Sequence, residues 1–144
     1  MGLSDELLNS DKKDKIVVDC CTMLEKQIES KSGLSGMALK TAFAALKGVK
    51  PGYIPYVVEQ LLPQCFTAID PIWNEGVQKG DPVEYMTTSS DRTADALLSV
   101  TDERVKKTKR QIVRGTYERF RGSAKQHVEE AVPELAKVIS KYTN

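Results

Sequence analysis

At 144 residues the chain has the length of one ordinary domain and can bury a proper core. Apolar residues make up 40% and charged ones 28%, which excludes an intrinsically disordered chain. The net charge of +1 gives no overall pull toward polyanions, and the longest near-continuous apolar run, Met37 to Leu46, falls far short of the roughly 20 residues that span a bilayer.

The chain opens Met-Gly-Leu-Ser-Asp-Glu-Leu-Leu, acidic rather than basic, so no secretory signal is expected. Gly2 follows Met1, but Glu6 stands where a myristoylation motif needs Ser or Thr. Ser10-Asp11 can cap a first helix running to about Ser30, with Ile16, Val17, Cys20, Cys21, Met23, Leu24 and Ile28 on one face. Gly33 supplies a left-handed stop. A second helix, starting near Ser35 and ending before Pro51-Gly52, is apolar nearly all round, with only Lys40 and Lys47 marking an exposed edge. That pattern predicts a helix at the centre of the domain.

A third helix from Tyr53 to about Lys79 gathers Val58, Leu61, Leu62, Cys65, Ile69 and Ile72 on one side, with a kink or break expected at Pro63 and Pro71. Gly80-Asp81-Pro82 reads as a stop, a cap and a first-turn proline. From Ser90 helical spacing continues to about Phe120, either as one helix or with a new start at Thr101-Asp102-Glu103. Arg121-Gly122-Ser123 is the expected stop before a last helix bearing Val128, Ala131, Val132, Leu135, Val138, Ile139 and Tyr142 on a narrow face. No segment alternates as a strand would. The expectation is therefore an all-α, single-domain bundle over residues 1–144, of five or six helices around a central apolar one.

Three cysteines, Cys20, Cys21 and Cys65, form neither a CxxC motif nor a Cys/His cluster. Buried, reduced thiols in a cytoplasmic protein are expected, with no metal and no cofactor. His127 is the single histidine and has no carboxylate or nucleophile at a fixed spacing, so no catalytic residue is assigned and no enzyme is expected. Gly33-Leu34-Ser35-Gly36 reads as a turn and cap, and Trp73 as a packing anchor.

Segment 31–52, KSGLSGMALKTAFAALKGVKPG, together with LSDELLNSDK, LLPQC, ALLSVTDER and VEEAVPELAKVISKY, resembles a family of uncharacterised all-helical bacterial proteins of about this length, found in actinobacterial and cyanobacterial sequences. The resemblance implies no activity, cofactor or site residue.

The charge map is the unusual feature. Glu59 to Glu103 holds nine acids and two bases, whereas Arg104 to Lys125 holds nine bases and one acid. On a helix Lys107, Arg110, Arg114 and Arg121 fall on one stripe flanked by Lys106 and Tyr117. Such a stripe could follow a phosphate backbone, or pair with the acidic segment beside it. The functional expectation is a non-catalytic interaction module that binds a protein partner or itself. A nucleic-acid-associated role for helix 104–125 and a carrier of a small apolar ligand are the alternatives, and no membrane is expected among the partners.

Overall fold

The computed structural model describes residues 2–9 and 11–143, with only the backbone described at Ser35. Among these residues there is no strand and there are seven helices: α1 (Leu3–Leu7), α2 (Lys13–Ser30), α3 (Gly33–Lys47), α4 (Tyr53–Gln78), α5 (Pro82–Thr88), α6 (Ser90–Lys107) and α7 (Gln111–Tyr142). No helix among them is long and apolar enough to cross a membrane.

The all-α expectation holds, but the count and the centre do not. The buried spine is α4, through Leu62, Phe66, Ile69, Ile72 and Trp73. Leu3 and Leu7 of α1, Ile16 and Cys20 of α2, Met86 of α5, and Val132, Leu135, Ala136 and Ile139 of α7 close around it in one cluster. Pro63 and Pro71 are exposed and do not break α4. Each proline removes one amide from the solvent side, where water satisfies the orphaned carbonyl.

The helix expected at the centre, α3, lies at the surface instead. Its only buried described residue is Gly36, while Leu34 is 87% and Met37 66% exposed. An apolar composition all round does not by itself decide burial. Here α4 is longer and carries the larger aromatic side chains, so it takes the centre.

Turn chemistry explains most of the boundaries. Ser10 of the expected first cap lies outside the described residues; α2 begins at Lys13, after Asn9 Oδ1 accepts the amides of Asp11 and Lys12 at 3.1 and 3.2 Å. The stop-cap-proline reading of 80–82 is realised. Gly80 has φ +95°, and the Asp81 carboxylate accepts the Glu84 amide at 3.1 Å. Gly76 lets α5 close on α4, because a Cβ there would lie 2.7 Å from Pro82 Cα.

Two expected signals misplace the last break. Thr101-Asp102-Glu103 lies inside α6, and Gly122 inside α7. The chain turns instead at 108–110, in the like-charged run Lys106-Lys107-Thr108-Lys109-Arg110, where Arg114 Nη2 donates to the Lys106 carbonyl at 2.9 Å. That bond satisfies one of the terminal carbonyls of α6.

The exchange of centre from α3 to α4 has a direct measure. Phe66→Ala should cost about 3–5 kcal/mol in chemical denaturation, as truncation of a fully buried aromatic does. Phe43→Ala, on the half-buried inner face of α3, should cost about 1 kcal/mol. Equal losses would return α3 to the core.

Candidate functional site

The basic stripe is not one helical face. Lys106 and Lys107 end α6, Arg110 lies in the turn, and Arg114, Tyr117 and Arg121 belong to the antiparallel α7. Folding back brings the stripe against acids of α6. Arg121 grips Asp102 with Nε at 2.8 Å and Nη2 at 3.1 Å. The Tyr117 hydroxyl donates to Asp102 Oδ1 at 2.6 Å and shares a 2.6 Å contact with Thr101 Oγ1. Lys106 pairs with Glu103 at 3.2 Å, and Lys125 bridges Asp91 and Asp95 at 2.5 and 3.1 Å.

Arg110 lies over the Tyr53 ring at 5.6 Å, tying the α6–α7 turn to the start of α4. Much of the stripe is thus engaged within the fold, and the exposed cations of this region are Lys106, Lys107, Lys109, Arg110, Arg114 and Arg119.

Protonation follows from these contacts. The Arg121 guanidinium holds the Asp102 carboxyl below its ordinary value, with Tyr117 adding to the effect. Burial, reinforced by the bond to Asp102, pushes the Tyr117 phenol up to about 12. Asp102 therefore locks α6 to α7, while Glu103 pairs with Lys106 within α6, and neither opens a helix.

A second feature has no counterpart in the charge map. Between α2, α3, α4, α6 and α7 lies a cavity of about 420 Å³ that is partly open to solvent. Its walls come from Met23 and Leu24 of α2, Leu39, Phe43 and Leu46 of α3, Leu62 and Phe66 of α4, Leu97 and Leu98 of α6, and Phe120, Ala124 and Ala131 of α7. Lining residues on α7 run from Val113 to Leu135, about 33 Å of helix. Almost all the surface facing the space is carbon and sulfur. Polar side chains such as Gln27, Lys31, Thr101, Tyr117 and His127 stand at its edges, where Lys31 pairs with Glu130 and Tyr117 with Asp102.

Cys20 and Cys65 also line the cavity, and burial pushes both thiols up to about 12. All three cysteines are free, and no group of three or more His, Cys, Asp or Glu among the described residues is arranged to hold a metal ion. His127 is half-buried and faces the cavity, and Trp73 is a core residue of α4.

The sequence suggests a small-ligand carrier only as an alternative and does not locate the cavity, because its walls use the same residue types and spacing as a packed core. The nearest signal is α3 itself, whose Leu39, Ala42, Phe43 and Leu46 face the cavity while an apolar face still remains on the outside.

The Asp102 lock carries a pH-dependent prediction. A carboxyl held below 3.8 in the folded chain stabilises it at neutral pH, and this contribution is lost as the pH falls below that value. Asp102→Asn should cost roughly 1 kcal/mol in urea at neutral pH, allowing for solvent screening. The penalty should shrink when both proteins are compared well below 3.8. A penalty that is absent, or the same at both pH values, would remove the lock.

Neither a curated protein nor a solved structure matches the chain. A family model does, across residues 3–143. The chain therefore belongs to the family of unknown function DUF6918.

Proposed function

We propose that the protein is a non-catalytic binding protein that holds a small apolar molecule in the cavity beneath α3. The observation that carries this reading is the cavity itself, about 420 Å³ walled by apolar side chains in a chain of this size. Native interiors are packed to crystal density and contain few voids larger than a water molecule. Water is a poor filler, because the wall offers it almost no hydrogen-bond partners. The size falls within the range of small-molecule sites, roughly 300–1,000 Å³.

The architecture suits such a role. α3 contributes one wall of the cavity but almost nothing to the buried core, and it is bounded by Gly33 and Gly52 with φ +74° and +72°. A helix tied so lightly can move aside to admit a ligand without unfolding α4. Three free thiols agree with a reducing, cytoplasmic compartment.

Nucleic-acid binding is the weaker reading. Arg121 and Tyr117 are engaged with Asp102, Lys106 pairs with Glu103, and Arg114 holds a backbone carbonyl. A protein-interaction role would rest on the outer face of α3 rather than on the basic stripe.

A neutral apolar dye such as Nile red tests the proposal. It should bind saturably, one per chain, and be displaced by a long-chain fatty acid. Ala131→Phe and Ala42→Phe add bulk to the cavity from its α7 and α3 walls. Each should weaken dye binding by about tenfold or more, close to 1.4 kcal/mol, while leaving the Tm unchanged or raised. Dye binding insensitive to both, with the loss of about 1–3 kcal/mol in stability that overpacking a full core brings, would contradict it.

A further inference from the structure

α3 is apolar on both sides, and the cavity accounts for only one. Opposite Leu39, Ala42, Phe43 and Leu46, the outer face presents Leu34, Met37, Thr41 and Ala44, all exposed. The Thr41 hydroxyl donates to the Met37 carbonyl at 3.0 Å, so its proton is committed to the helix itself. Leu34 and Met37, 87% and 66% exposed, are adjacent on this face at the i, i+3 spacing.

The charges around this face have one sign along the chain. From Ser32 to Val58 there is no acid, and Lys40, Lys47 and Lys50 punctuate the segment. Lys40 and Lys47 lie on the flank of the outer face. Lys47 lies 4.8 Å over the ring of Phe43 and reaches Glu25 of α2 at 4.0 Å, with both charged side chains more than half exposed. Lys50 lies 4.5 Å above the ring of Tyr56, which is itself 44% exposed.

A second copy of the chain is a poor occupant, because a two-fold contact would set this lysine-bearing segment against itself. An anionic bilayer fits both features, since an interfacial helix buries an apolar face at the headgroup boundary and places lysines among the phosphates. Such a helix lies on the surface, so the lack of a spanning helix among the described residues does not bear on the contact.

We propose that the outer face of α3 docks on an anionic lipid bilayer, with Leu34 and Met37 inserted at the acyl boundary and Lys40, Lys47 and Lys50 at the headgroups. This departs from the expectation, drawn from sequence, that no membrane is among the partners. It rests on the outer face alone and is independent of what fills the cavity.

Co-sedimentation of the full chain with vesicles tests it, using phosphatidylcholine alone and phosphatidylcholine mixed with phosphatidylglycerol. The protein should pellet with the mixed vesicles at least about tenfold more strongly than with the neutral ones, and added salt should weaken the binding. The double variant Lys40→Glu, Lys47→Glu should lose about fivefold or more per lysine replaced. The double variant Leu34→Ser, Met37→Ser should abolish pelleting, yet keep the circular dichroism, the Tm and Nile red binding of the parent. Absence of pelleting, or equal pelleting with both vesicle types, would overturn the proposal. So would a dimer in sedimentation velocity that Leu34→Ser, Met37→Ser dissociates, which would assign the face to a second copy.

Discussion

The burial of α4 is the constraint on which the rest of this fold depends: α1, α2, α5 and α6 pack on it directly, and α7 joins the same apolar cluster mainly through α2, α5 and α6. Phe66, Ile69, Ile72 and Trp73 on α4, with Val132, Leu135, Ala136 and Ile139 on α7, form the heart of the buried cluster. Burying a large apolar side chain contributes roughly 1.5–3 kcal/mol, so this group outweighs any exposed ion pair in the chain. α1 and α5 seal one end of α4, where the Leu3 amide donates to Asp70 at 2.9 Å and Gly76 admits Pro82. The N-terminal half of α2 is pinned to the end of α7 through Asp19, which accepts from Tyr142 and Lys141 at 2.5 and 3.1 Å.

The other end of the bundle is built differently. Beyond the reach of α2, which ends where Lys31 meets Glu130, α7 continues outward with α3 and α6 beside it. α6 is held there by the Asp102–Arg121 lock and the aspartates around Lys125. The space enclosed is the apolar cavity, and α3 is the element laid across it. Tight packing at one end and a roofed hollow at the other follow from one division of labour, with apolar burial fixing the first and charge pairing framing the second. The asymmetry of charge along the sequence thus has a structural use before any functional one.

Much of the fold was legible in the sequence. The apolar faces of α2 and α7 matched helical spacing closely, and Gly80-Asp81-Pro82 marked a turn because each residue type has a specific job there. What could not be read was hierarchy. Spacing shows that α3 has apolar residues on every side, but not whether six other helices leave room for it in the middle. Phe66, fully buried on α4, falls outside the aliphatic set that the spacing picks out, whereas Trp73 is the packing anchor expected. The break at 108–110 lacks glycine and proline, so the stronger punctuation at Gly122 was misleading. The stripe expected on one helix is divided between α6, the turn and α7, and the pairing of Arg121 with Asp102, more than a dozen residues away in sequence, is a tertiary property. The cavity was invisible for a similar reason: a void leaves no mark on residues that are apolar in either case.

The central claim is that the hollow beneath α3 persists as a dry, accessible apolar site. Crystals of the protein held under xenon pressure test it without knowledge of any natural ligand, since a dry apolar cavity takes up xenon. The account predicts xenon among Leu62, Phe66, Leu98, Phe120 and Ala131, with α3 still lying across the site. A core without xenon, in which α3 has closed onto α4 and α7 and its inner side chains fill the space, would contradict it.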